Sequence, residues 1–598
     1  MSGGSANPAQ QQAIRMEGHC LILACPGAGK TFTLRERAVH LLKKHPGTRL
    51  CAVTFTADAA SELEQRIRAG MPEAGDRLIC GTFHSICKRQ IEATGRKFTL
   101  LNDGEQSDLL RRAYLESFGR DSGISLESAI AFVESMKCRI DPLSMRGDID
   151  IRAPMYDAYQ RLLRQMGALD FSDLLLEAVR GMQDGSITPL PVRFMLVDEY
   201  QDTDPVQEAW MREHLRQGVQ VTVVGDDDQS IYSFRNALSY SGMERFRIEA
   251  NAPTVKLNMT YRCAREILVP AAKLIVKNQE RVPKSLETNS TARGVVRLRN
   301  FGSAQEEAEA VIRAILTSGA PHEWGILART NAQLDVLEKF FRPLGENLPY
   351  KRSGGASLWS LPGPALFMSV TESIANRHML GIDLLLKKSG VSNDELSKIH
   401  AKCRSREPGS LMRFIAAYGD NAKTPTAELA RLVKQWVAFS DSSPQLAFNG
   451  IGSYIKTKVR LYDGTRKGEE KAKDDRMIEH CAKLFDGLGS SMGKCLTTLR
   501  QREQRKNEKP RSKEEAERRR EAEGARLMTL HASKGLEFDR VWIVGCEEGV
   551  LPSKQGDREE ERRLFYVGIT RAREELTVSY TVNKDYPPST FLREAGLN

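Results

Sequence analysis

The stretch Cys20 to Leu34, CLILACPGAGKTFTL, leaves few folds open to this chain. An apolar run, a glycine-rich turn and an amphipathic continuation read, in that order, as strand, loop and helix. That is the context in which G-K-T forms a phosphate-binding loop. The backbone N–H groups of Ala24, Cys25, Pro26, Gly27, Ala28 and Gly29, proline excepted, can cradle phosphate oxygens. Lys30 can reach the β and γ phosphates of a nucleotide, and Thr31 can hold Mg²⁺. Ala24 stands where the strict pattern has its first glycine. The expected fold class is α/β, with parallel sheets.

Further strands carry chemistry at their ends. LCAVTF, Leu50 to Phe55, precedes the amphipathic ADAASELEQRIRAG, and Leu78 to Cys80 leads into GTFHS, where Thr82 and His84 suit phosphodiester oxygens. RFMLVDEYQDT places Asp198 and Glu199 after a buried strand, one carboxylate for a metal's shell and one for orienting or deprotonating a water. VVGDDDQSIYSFRNA, Val223 to Ala237, carries Gln229, Arg235 and the rings of Tyr232 and Phe234, which an extended backbone puts on one side. This segment therefore offers groups for a phosphate and flat faces for bases.

A second α/β unit is expected to begin near Pro253, with VKLNMTYRCAREI, then strands at Val295 to Leu298 and Trp324 to Ala328. The strand pattern returns at Ala525 in ARLMTLHASKGLEF, and EEERRLFYVGITRAREEL ends in Arg571 and Arg573, permanent cations that can face a transferring phosphoryl group. Between these units the text is mostly helical, which predicts two insertions. The expected boundaries are 1–88 with 189–252 for the first unit, and 89–188 for its insertion. They are 253–357 with 524–598 for the second unit, and 358–523 for its insertion.

At 598 residues the chain needs several cores. A net charge of +10 favours polyanionic partners. Eleven scattered cysteines, with no C-x-x-C pair, argue against a disulfide framework or zinc knuckle and for a reducing compartment. No apolar run of membrane-spanning length and no leader pattern occurs, so cytoplasm and no membrane partner are expected. No carboxylate cluster with a lysine stands outside these motifs, which disfavours a nuclease.

Taken as an ordered series, these stretches resemble the UvrD/Rep/PcrA family of superfamily 1A DNA helicases. The matching segments run from Asn7 to Ala13 through Leu169 to Leu175 and Leu327 to Gln333 to Glu559 to Leu576. The resemblance implies two RecA-like parallel-sheet P-loop domains, each with a mainly helical inserted subdomain, and ATP with Mg²⁺ as cofactors. By it, Gln10 reads the adenine edge, Tyr261 stacks on the base, Glu537 binds the ribose, and Gln229 senses the γ-phosphate. Lys30 and Thr31 serve phosphates and metal, Asp198 the metal and Glu199 the water, while Arg262 and Arg571 act as fingers. Phe55, Tyr232 and Phe234 stack on bases, with Thr82, His84 and His531 near the backbone. The implied activity is a 3′ to 5′ single-stranded DNA translocase and helicase acting at single-strand/double-strand junctions, as a monomer or with weak self-association. Its protein partners are not legible in the sequence.

Three stretches depart from the family pattern: Phe32 beside the nucleotide, KKSGVSNDEL around Lys388, and SLWSLPGPALF before the second insertion. Two other readings stay open: a DNA-stimulated ATPase that remodels or displaces nucleoprotein complexes without efficient unwinding, and an RNA substrate. Stacking faces cannot discriminate the 2′-OH.

Overall fold

The computed structural model describes residues 5–101, 103–119, 123–140, 150–233, 236–353, 359, 362–404, 409–419, 424–459, 468–507, 513–582 and 586–597. Residues 1–354 with 520–598 form one compact unit and 355–519 another.

The first unit holds two six-stranded parallel sheets. In the first sheet the order is Leu78–Thr82, Leu50–Thr54, Phe194–Val197, Gln220–Gly225, Cys20–Ala24 and Thr254–Leu257. Every residue of Cys20–Ala24, Leu50–Thr54 and Phe194–Val197 is buried, as strands covered on both faces must be. Because all six strands run the same way, the loops after Ala24, Thr54, Thr82, Val197 and Gly225 emerge at one edge. That is the edge where open α/β sheets bind ligands. The strand Thr254–Leu257 follows the expected boundary near Pro253. It pairs with Leu21 to Ala24 and completes the first sheet. Its alternating burial marks it as a strand, but only pairing assigns it to a sheet.

The second sheet runs Val295–Phe301, Ala572–Thr581, Phe538–Ile543, Trp324–Ala328, Ala525–Thr529 and Tyr350–Arg352, again all parallel. Residues far apart in sequence thus share one sheet, with the second helical segment inserted between Tyr350–Arg352 and its partner Ala525–Thr529. The parallel-sheet α/β class with helical insertions is therefore what the chain adopts.

Within 89–188 the helices Asp103–Phe118, Leu126–Lys137 and Ala153–Met166 bury a core of their own. The helix Phe171–Asp184 packs into the first sheet's core through Leu174, Leu175 and Val179. Lys137 is buried at its start, with Nζ 2.6 Å from Asp170 and 2.7 Å from Asp173. Arg37, also buried, donates to the carbonyls of Ala13 and Met16 and to Thr222 Oγ1, tying the N-terminal helix Pro8–Arg15 to the helix Lys30–Lys44.

The 355–519 unit is helical around one apolar core that includes Phe367, Phe414, Phe448 and Phe485. Around Lys388 the helix Leu380–Lys388 ends at a turn in which Gly390 has φ +91°, and Ser392 caps the helix Asn393–Cys403. The departing KKSGVSNDEL text thus still builds a helix–turn–helix, with glycine at the position that needs a left-handed backbone. Most of SLWSLP lies outside the described residues. Among the described residues, no helix is long and apolar enough to cross a membrane.

Candidate nucleotide and nucleic-acid sites

The loop after Cys20–Ala24 turns through Gly27 and Gly29, both left-handed at φ +75° and +78°. The helix Lys30–Lys44 follows with no side-chain cap, which leaves its N-terminal N–H groups for an anion. Lys30 Nζ lies 2.9 Å from both carboxylate oxygens of Glu199. Burial opposes its charge, yet Glu199, Asp198 and Asp226 outweigh that and hold its pKa above the ordinary value.

Asp198 and Glu199 sit at the end of Phe194–Val197, Glu199 in a left-handed conformation at φ +50°. Burial and the neighbouring Glu199 charge raise Asp198 to about 7, whereas Lys30 and Lys534 overcome burial and lower Glu199. A carboxyl raised by burial, with a like charge beside it, is one that a cation would ionise, which suits Asp198 and the adjoining loop to a metal. Gln201, fully buried, joins this pair to the next loop: its Nε2 donates to Glu199 at 2.6 Å and its Oε1 accepts from Asp226 N at 3.0 Å.

The two sheets meet across the phosphate loop. Tyr261 N donates to Gly27 O at 2.9 Å, and Tyr261 Oη accepts from Asn7 Nδ2. A Cβ on Gly27 would lie 2.6 Å from Arg262 Cβ and from Thr260 Oγ1. Gln10 donates to Ala28 O and accepts from Asn7 N, and so braces the loop from the other side. Arg262 Nε donates to Glu537 at 2.7 Å, and Arg573 pairs with the same carboxylate. Against burial, these two arginines lower Glu537 to about 2. Arg571 is 1% exposed, and its Nη2 donates to Gln229 Oε1 at 3.0 Å. Burial and Arg262 push its pKa down to about 9. Lys30 and Thr31 open the helix Lys30–Lys44, and Asp198, Glu199, Gln229, Arg262 and Arg571 come from turns around this junction of the sheets.

Three residues beyond Gln229, the Tyr232 ring faces Phe55 at 6.0 Å between centroids with planes 7° apart. Lys534 Nζ lies 4.7 Å from the Tyr232 centroid and donates to Asp202 and to Gln229 O. Thr82 caps the helix Phe83–Ala93 through a capping box with Ser85. His84, lowered by burial, meets the exposed Phe171 ring edge-on at 6.1 Å. His531 is lowered to about 4 by burial and by Arg329. Phe234 and Arg235 lie outside the described residues.

Sequence reasoning passed over Gln201, Asp202, Phe171 and Lys284. Gln201 and Asp202 stand two and three places past an acidic pair, a signal that could have been followed. Phe171 lies inside the matching segment Leu169 to Leu175, which by itself gives the ring no role. Lys284 has no local signal, since its partners lie more than fifty residues away.

A nucleotide loop on one parallel sheet, closed by arginines from another, defines a two-domain P-loop protein. The UvrD/REP helicase N-terminal domain model matches residues 6–247 and the UvrD-like helicase C-terminal domain model residues 255–583. The chain is 30% identical to the ATP-dependent DNA helicase Rep of Escherichia coli, over 98% of this chain and 94% of that protein. Against DNA helicase II of the same organism it is 29% identical, over 99% and 87%. For the ATP-dependent DNA helicase PcrA of Staphylococcus aureus the identity is 28%, over 98% and 86%. The chain belongs to the UvrD/REP helicase family.

Proposed function

We propose that the protein is an ATP-dependent DNA helicase that translocates along single-stranded DNA from 3′ to 5′. The observation that carries this reading is the continuity from Arg571 through Gln229 to the facing rings of Tyr232 and Phe55. One short segment therefore links the nucleotide side of the cleft to a stacking pair suited to any base. Direction is taken from the family resemblance.

Lys30, Thr31 and the loop N–H groups hold the phosphates, and Thr31 with Asp198 holds Mg²⁺. Bound there, Mg²⁺ neutralises charge on the phosphoryl group being transferred. Glu199 orients the attacking water and takes its proton. Arg262 and Arg571 meet the developing charge only while the sheets are closed on each other, so nucleotide state and domain closure are linked. Gln10, Tyr261 and Glu537 surround the nucleoside. Phe55, Tyr232 and Phe234 stack on bases, with Thr82, His84 and His531 along the strand's backbone.

The test is an unwinding assay on duplexes with 3′ or 5′ tails, together with ATPase stimulation by single-stranded DNA and RNA. Unwinding of 3′-tailed substrate alone, with DNA the better stimulant, is expected. Hydrolysis without strand separation would identify a remodeller instead, and preferential stimulation by RNA would overturn the DNA assignment.

A further inference from the structure

Asp226, Asp227 and Asp228 are each fully buried, and their carboxylates lie close enough together to hold a metal ion. The structure places an ammonium against them. Lys284 Nζ, its side chain 1% exposed, pairs with Asp226, lies 2.6 Å from Asp227 and 3.1 Å from Asp228. Arg281 chelates Asp228 through Nε and Nη2, and Val282 N donates to Asp227. The segment 281–284, which follows the helix Arg265–Ile275, thereby bolts down the turn from which Gln229 projects. Three buried like charges without a cation would not be tolerated.

The consequence falls on the Gln229 amide. Asp226 Oδ1 takes Lys284, and Oδ2 accepts from Gln229 Nε2 at 2.6 Å, while Gln229 Oε1 accepts from Arg571. An ionised carboxylate only accepts, so it fixes which end of the amide turns towards it. Burial pushes the Asp226 carboxyl up from its ordinary value, and Lys284 is the largest influence pulling it back.

We propose that Lys284 is a positioning residue for Gln229: by holding Asp226 as a pure acceptor, it keeps the amide oxygen on Arg571. The inference rests on Gln229 acting at the γ-phosphate. The charge-neutral pair Asp226→Asn/Lys284→Met removes anion and cation together and leaves Gln229 an amide partner that accepts or donates. It is expected to lower kcat of DNA-stimulated ATP hydrolysis about tenfold with KM for ATP unchanged. Asp226→Asn alone, which keeps Lys284 on Asp227 and Asp228, gives the same loss and carries the comparison should the pair not fold. In a Gln229→Ala background neither change lowers kcat further. Parental kcat in these variants, or equal fold losses with and without Gln229, overturns the proposal. Parental kcat in Gln229→Ala alone would instead remove the role of Gln229 itself, a separate result.

Discussion

His214 shows how a buried titratable side chain sets a pH limit. Its Nε2 accepts from Leu190 N at 3.0 Å and its Nδ1 donates to Trp210 O at 2.8 Å, so both ring nitrogens are committed with the ring neutral. Burial lowers its pKa to about 4. The unfolded chain, near 6.5, binds the proton first, so this contribution is complete above 6.5 and is lost as pH falls towards 4. The loss is about 3 kcal/mol. Denaturation midpoints of the parent protein should drop more steeply than those of His214→Gln across that window; parallel curves would refute the assignment. Lys30 is a second residue-scale test. Lys30→Ala removes the cation proposed for the phosphates and leaves Glu199 without its ion-pair partner. ATP turnover should fall to background in a steady-state assay, and retained turnover would show the loop assignment wrong.

Among elements, the phosphate loop is the most constrained. Gly27 needs a left-handed backbone and also has no room for a Cβ against Arg262 and Thr260. Gly27→Ala should weaken nucleotide binding about tenfold, the equivalent of 1 to 2 kcal/mol of backbone strain, read by fluorescent nucleotide titration. Gly47→Ala is the control, because φ there is +81° with nothing within 4 Å of the added carbon. Equal effects at both positions would mean that the contact with the second sheet is immaterial. The helix Arg558–Ile569 shows the same economy: Glu559 accepts from Gln279 N, Glu560 from Ser233 N and Glu561 from Arg329. Three adjacent acids, which the local dipole favours at a helix start, each hold a different segment.

Across the whole first unit, the two sheets are joined by buried charge as well as by apolar packing. Lys534, from the turn after Ala525–Thr529, pairs with Asp202, which is 5% exposed. Lys534→Met should destabilise the protein by about 3 kcal/mol or more, because it strands a buried carboxylate. Asp202→Asn/Lys534→Met should recover most of that loss in chemical denaturation. No recovery would mean that Lys534 acts through Gln229 O and Tyr232 instead. The sequence by itself determined the α/β class, the phosphate loop, the acidic pair and the ordered motifs, because strand–loop–helix patterning is local and each motif is contiguous. Tertiary structure alone decided that Thr254–Leu257 closes the first sheet, that Gln201 bridges two loops, and that Lys284 pairs with three aspartates. Those outcomes depend on strand pairing and polar or charge compensation between residues tens of positions apart, for which a linear pattern carries no signal beyond the place of Gln201 next to the acidic pair.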